Sequence, residues 1–216
     1  MASSGHRPPF FRRKFPYSFF HATALLVAVN VAVFVLTSLL PGLMGCLGLN
    51  VVGCIGMKWW WQPFTYMFVH ANMRHIFFNM LGLLMFGVSV ERGLGSWEFL
   101  VLYLFCGVFD GLASLAVYFA TGSYYVSLVG ASGAVFSVIL VYAVMYPKSI
   151  LYFMGLIPIP APLLVILYTV IELFGQLHGG SNVAHMTHLT GFVLAWLYLR
   201  VRMGVSPLRV WRDAWR

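Results

Sequence analysis

Four groups of side chains in this 216-residue sequence have types and spacings suited to chemistry. Ser132 sits in Gly130-Ala131-Ser132-Gly133. His185 and His188 stand three apart, and His70 and His75 are followed by Asn79, four residues after His75. Asp110 and Glu172 are acids inside otherwise apolar runs. A serine hydroxyl is a poor nucleophile until a base takes its proton, and histidine is the usual base. The tetrahedral intermediate that follows needs donors for its oxyanion. His75 and Asn79, one helical turn apart, face the same way and both can donate. A serine near a helix start has backbone N–H groups around it that lack an intrahelical acceptor, and Gly130 and Gly133 let neighbouring backbone come close. That chemistry would be acyl transfer. Plainer readings stand beside it. Gly-Ala-Ser-Gly is also a small-residue contact between membrane helices, its serine bonding a neighbour. His185 and His188 could be metal ligands or structural polar contacts, although the zinc-protease pattern H-E-x-x-H is absent. Asp110 could pair with Glu172 through a shared proton or cap a neighbouring helix.

The elements that must position these residues follow from composition. The chain is 61% hydrophobic and only 8% charged, about a third of the ~25% charge usual in soluble domains. Eighteen charged side chains cannot clothe a soluble domain of this size. Soluble enzyme, nucleic-acid binder and disordered chain are excluded together, and the +8 formal charge reads as membrane topology. A span needs ~20 apolar residues, and six such runs occur, at roughly 22–40, 74–90, 97–119, 130–146, 150–174 and 183–199. The fifth carries Pro158, Pro160 and Pro162 in its first half, which makes it a candidate lateral gate. The first run is span-length, so no cleavable signal peptide is expected.

With both termini cytoplasmic, the inner segments hold eleven Lys and Arg against Lys58 and Arg74 outside, which satisfies the positive-inside rule. The expected fold is therefore an all-α membrane protein. It is a six-transmembrane helical bundle with a membrane-associated first loop (41–73, rich in Trp59, Trp60 and Trp61) and both termini cytoplasmic. Its parts are a basic cytoplasmic tail at 1–21, a core at 22–203 and a second basic tail at 204–216. Cys46 and Cys54 share the first loop, where oxidation is allowed, but their separation cannot be read from sequence.

Heights bring three of the polar groups together. The second, fourth and sixth runs all pass from outside to inside. Asn79 lies 12 residues above Glu91, Ser132 16 above Lys148, and His188 12 above Arg200. At ~1.5 Å per residue these are heights of about 18, 24 and 18 Å, so all three occupy one layer below the outer surface. Helical facing does not choose between His185 and His188, and height favours His188 only mildly. No carboxylate stands at this level on those three runs, so a Ser–His pair here would be a dyad.

These residues resemble the rhomboid family of intramembrane serine proteases over roughly 58–200. Trp61-Gln62-Pro63-Phe64-Thr65, then His70 and His75-Ile76-Phe77-Phe78-Asn79-Met80, is similar to the family's first-loop and second-span signature. Glu91-Arg92-Gly93-Leu94-Gly95-Ser96 is similar to its second-to-third-span turn. Gly130-Ala131-Ser132-Gly133-Ala134-Val135-Phe136 resembles the nucleophile motif and His188-Leu189-Thr190-Gly191 the motif of the base. The resemblance implies Ser132 as nucleophile, His188 as general base and His75 with Asn79 as oxyanion donors. It implies His70 as a further histidine near the site and Gly191 as the close contact between the sixth and fourth helices. It also implies transmembrane protein substrates cut near the extracytoplasmic face, no metal and no cofactor. Gln62 stands where many members carry Arg, Ala195 replaces the second Gly of the usual sixth-span pair, and His185 is an added histidine. The expected location is a multi-pass protein of a bacterial cell membrane. Two other functions remain open. A non-proteolytic relative that binds membrane spans is disfavoured by the intact Ser132 and His188. A small proton or ion transporter is disfavoured by cytoplasmic span halves that are almost wholly apolar.

Overall fold

The computed structural model describes residues 9, 12–13, 15–153, 156–178 and 182–216; side chains at 153, 175–178 and 182–185, His185 among them, lie outside the described set. The chain is mainly helical. Helix α1 (Ala22–Leu39) leads through α2 (Gly42–Leu47), a π-turn at Val52–Gly56, α3 (Gln62–Thr65) and a 3₁₀ turn at Tyr66–Phe68. Helix α4 (Met73–Gly82) continues through a π-turn (Leu83–Gly87) into α5 (Val88–Leu94), followed by α6 (Ser96–Ala120) and α7 (Ser132–Met145). Then come strands β1 (Ile150–Phe153) and β2 (Ile157–Pro160), α8 (Ala161–His178), α9 (Asn182–Val201) and α10 (Pro207–Ala214). Three helical stretches among the described residues, Ala22–Leu39, Met73–Leu94 and Ser96–Ala120, are long and apolar enough to cross a membrane; Ser132–Met145 and Ala161–Phe174 are shorter apolar helices.

The stretch 150–160 is not the first half of a span. It is an antiparallel hairpin in which Ile150 faces Pro160 and Phe153 faces Ile157. Prolines explain the difference. Pro158 and Pro160 cannot donate to a helix and their rings clash with the preceding turn, so the helix begins beyond them. Pro162 lies in the first turn of α8, where its missing N–H costs nothing.

Helix α7 is the centre of the bundle, buried along most of its length and packed on α6, α8 and α9. One glycine contact sets its distance from α9. A methyl at Gly191 would collide with the Gly133 carbonyl. The Ser137 hydroxyl bridges the same crossing, donating to Gly191 O at 2.7 Å, with Gly133 O also 3.0 Å away. Ala195 is fully buried on α9, so an alanine fits where the family pattern has its second glycine.

At the other end of the bundle, Glu91 is buried and accepts the Ala22 and Thr23 amides at 2.6 and 2.9 Å and the Thr23 hydroxyl at 2.7 Å. It thereby caps α1. Arg202 donates to both carboxylate oxygens of Glu98, at 3.0 and 2.8 Å, tying α9 to α6.

The segment between α1 and α4 is folded down on the bundle. Tyr66 is buried and its hydroxyl donates to Gly107 O of α6 at 2.7 Å, while Leu49 exchanges backbone bonds with Leu128. Gln62, 0% exposed, accepts from Asn50 N and lies within 3.4 Å of the Gly45 and Cys46 carbonyls. A neutral amide thus anchors the loop with no buried charge to compensate. Ile55, Met57, Trp60 and Trp61 point outward as an apolar rim. Cys46, Cys54 and Cys106 are all free thiols.

Candidate active site

The nucleophile candidate opens α7. Ser132 is the first helical residue after Gly130-Ala131, and the turn is shaped by Gly130, whose φ of +121° is accessible to glycine but strained for other residues. A Cβ there would also strike the His75 ring. The Gly130 amide is held by Tyr66 O at 3.0 Å, so the folded first loop fixes the start of α7. The first amides of α7 have no intrahelical acceptor.

Helix α4 brings the donor candidates. Asn72 caps it, accepting from His75 N at 2.9 Å, and one turn later Asn79 Nδ2 donates to His75 O at 3.0 Å. His75 is half-buried and Asn79 buried. Helix α9 brings His188, whose ring stacks on Phe136 of α7 with centroids 4.3 Å apart and planes 5° from parallel. Phe136 in turn contacts Tyr168 of α8 and Phe192 of α9.

Ser132, His188, His75 and Asn79 all line one cavity of about 850 Å³. Asn72 and Arg74 at the start of α4 also line it, and the rest of the wall is mainly apolar: Phe78, Leu81 and Met85 on the second long helix, Val135 and Ile139 on α7, and Leu164 with Tyr168 on α8. The polar atoms gather at one end of an apolar groove. Ser132 Oγ and His188 share this cavity with no hydrogen bond between them among the described residues; such contacts are often long in a free enzyme and tighten on the substrate.

Two acids are placed where the sequence left them open. Asp110 and Glu172 do not pair. Asp110 is buried on α6, 3.5 Å from the Tyr66 hydroxyl and so close to Gly133 that any β-carbon there would overlap its carboxyl. Glu172 of α8 instead reaches the base candidate, its Oε1 2.9 Å from His188 Nδ1. That is an ion-pair distance, although the ring nitrogen is not aligned for a hydrogen bond.

His70 lies behind the site, its ring edge-on to His75 with centroids 5.0 Å apart. It is 0% exposed, and among the described residues neither ring nitrogen has a hydrogen-bond partner. Burial, with a smaller contribution from His75, pushes it down to about 4; the Phe68 backbone acts weakly the other way. The fold therefore favours the neutral ring. An unfolded His70 takes a proton near pH 6.5 while the folded one resists until about 4, so this contribution is complete above pH 6.5 and is lost as pH falls toward 4. The lost stability is on the order of 3 kcal/mol. The thermal midpoint in detergent should drop across that window in the wild type, and His70→Phe should flatten the drop. An equally steep drop in the variant would show that another group carries it.

A family model, the Rhomboid domain, matches residues 58–204. The chain belongs to the rhomboid family. It is 32% identical over 155 residues to "RHOMBOID-like protein 12, mitochondrial" of Arabidopsis thaliana, covering 65% of this chain and 46% of that protein. It is 34% identical over 119 residues to "Rhomboid protease GluP" of Bacillus subtilis, covering 53% and 22%. With "Rhomboid protease AarA" of Providencia stuartii the identity is 30% over 92 residues, 37% and 32%. The chain thus spans less than half the length of these relatives.

Proposed function

We propose that this integral membrane protein is a serine endopeptidase that cuts transmembrane substrates near the extracytoplasmic face. The observation that carries the reading is the cavity itself, in which Ser132, His188, His75 and Asn79 from three separate helices meet at the polar end of an apolar groove. His188 takes the Ser132 proton, Ser132 Oγ attacks the peptide carbonyl, and His188 returns the proton to the leaving amine. His75, Asn79 and the Ser132 backbone N–H hold the oxyanion while it exists. The groove between the second long helix and α8 suits an apolar segment that has unwound enough to present its backbone to the serine, which makes α8 the gate. Polar lining lets water reach the acyl-enzyme where lipid alone would exclude it. The six-span arrangement with both termini cytoplasmic belongs to the same proposal, supported by the excess of inner Lys and Arg and by helices in each of the six apolar stretches. The bacterial cell membrane is the proposed location, among relatives named from bacteria and from mitochondria and chloroplasts alike.

The test is turnover of a model membrane span reconstituted with the protein in liposomes. The wild type should release the cut product, and no cleavage of any helix-destabilised span would contradict the proposal. Asn79→Ala in the same assay should lower kcat more than it raises KM, because an oxyanion donor acts mainly in the transition state. A single such donor is worth on the order of 10²–10³ in rate, less here because His75 and a backbone N–H remain. A raised KM alone would make Asn79 a substrate-positioning residue.

A further inference from the structure

We infer that Glu172 is a positioning residue for the base, so that His188 is oriented by a carboxylate delivered from α8. The inference rests on the reading of His188 as the base, and adds to that reading a fourth helix. Glu172 is only 7% exposed, and a carboxylate is costly inside an apolar bundle unless a polar partner meets it. Its Oε1 meets Nδ1 of His188 at 2.9 Å. Which nitrogen of an imidazole keeps its hydrogen is set by what the other faces. A carboxylate against Nδ1 selects the tautomer with the hydrogen on Nδ1 and the lone pair on Nε2.

Two contacts then hold the ring. Phe136 stacks flat against one face and fixes the plane. The carboxylate chooses between the two orientations related by a half-turn of the ring, because the flip would put a carbon, Cδ2, where Nδ1 now meets Glu172. With Nδ1 buried against Glu172 and the ring also lining the cavity shared with Ser132, Nε2 is the nitrogen available to the serine. When Nε2 accepts the Oγ proton, the ring becomes an imidazolium. Its Nδ1–H stays on the ring, Glu172 stays ionised beside the new charge, and the proton on Nε2 passes to the leaving amine. The carboxylate gains and loses no proton.

The experiment compares Glu172→Gln, Glu172→Asp and His188→Ala as full-length proteins in detergent, with turnover of a model span and the thermal midpoint measured together. Glu172→Gln should lower kcat about 10²-fold with KM within twofold. This is less than the ~10⁴ lost by an acid-to-amide change in a tightly aligned triad. Glu172→Asp should recover part of the loss. A kcat within twofold of wild type in Glu172→Gln, or a loss that Glu172→Asp does not recover at all, overturns the inference while leaving His188 as the base. Activity that survives His188→Ala overturns the base assignment itself. A measurement on the unmodified protein does not depend on how the variants fold. The ¹⁵N imidazole shifts of neutral His188 should report hydrogen on Nδ1, and hydrogen on Nε2 would overturn the inference.

Discussion

Ser132→Ala should abolish cleavage of a membrane-span substrate and leave the fold intact. Loss of the nucleophile in a well-studied serine protease costs about 10⁶ in kcat, because the serine and its base act as a unit and only binding and oxyanion stabilisation remain. The same scale applies here, and residual turnover should fall below detection. Stability should hardly change. Ser132 is half-buried, begins α7 rather than lying within it, and its hydroxyl makes no hydrogen bond among the described residues, so the truncation strands no partner. The unfolding free energy is therefore expected within about 1 kcal/mol of wild type, the range of a mild substitution. Activity within tenfold of wild type would remove Ser132 from the mechanism.

The second large effect separates two neighbouring histidines. His188→Ala should remove both turnover and labelling by a fluorophosphonate, since both need the serine deprotonated. His185→Ala should keep at least a tenth of each, a difference of no more than about 1.4 kcal/mol in barrier. The physical ground is what the His188 ring touches. His188 lines the cavity with Ser132, stacks on Phe136 and meets Glu172, while the side chain of His185 lies outside the described residues. The reverse ranking would require α9 to shift by one turn, which the contact of Gly191 with Gly133 O opposes.

The convergence of Asn79, Ser132 and His188 was readable from sequence because polar residues in apolar runs stand out, and because counting from charged stops converts position into height. Glu172 shows where that reasoning stopped short. Heights relate only the three runs passing inward, and a fifth run spanning 150–174 puts Glu172 near its far end. Reading Pro162 as a first-turn proline would have started the helix at Ala161 and placed Glu172 about 16 Å above it, close to the heights of Asn79 and His188. The hairpin at 150–160 was hidden for a related reason: short apolar runs look alike as strand or helix, and only the spacing of Pro158 and Pro160 argues against the helix. The first loop was legible as apolar and close to the bundle, but not in its detail. Its anchors, the buried Gln62 amide and the Tyr66 hydroxyl on Gly107 O, are long-range bonds without periodicity. Asp110 was equally opaque, since its place against Gly133 depends on how α6 crosses α7.

One measurement bears most directly on the account: mass-spectrometric mapping of the fluorophosphonate adduct on the full-length protein in detergent, with His188→Ala as the parallel sample. The adduct should sit on Ser132 in the wild type and be missing in the variant. A wild-type protein that cleaves its substrate while carrying no adduct on Ser132, or an adduct that forms equally well without His188, would contradict it.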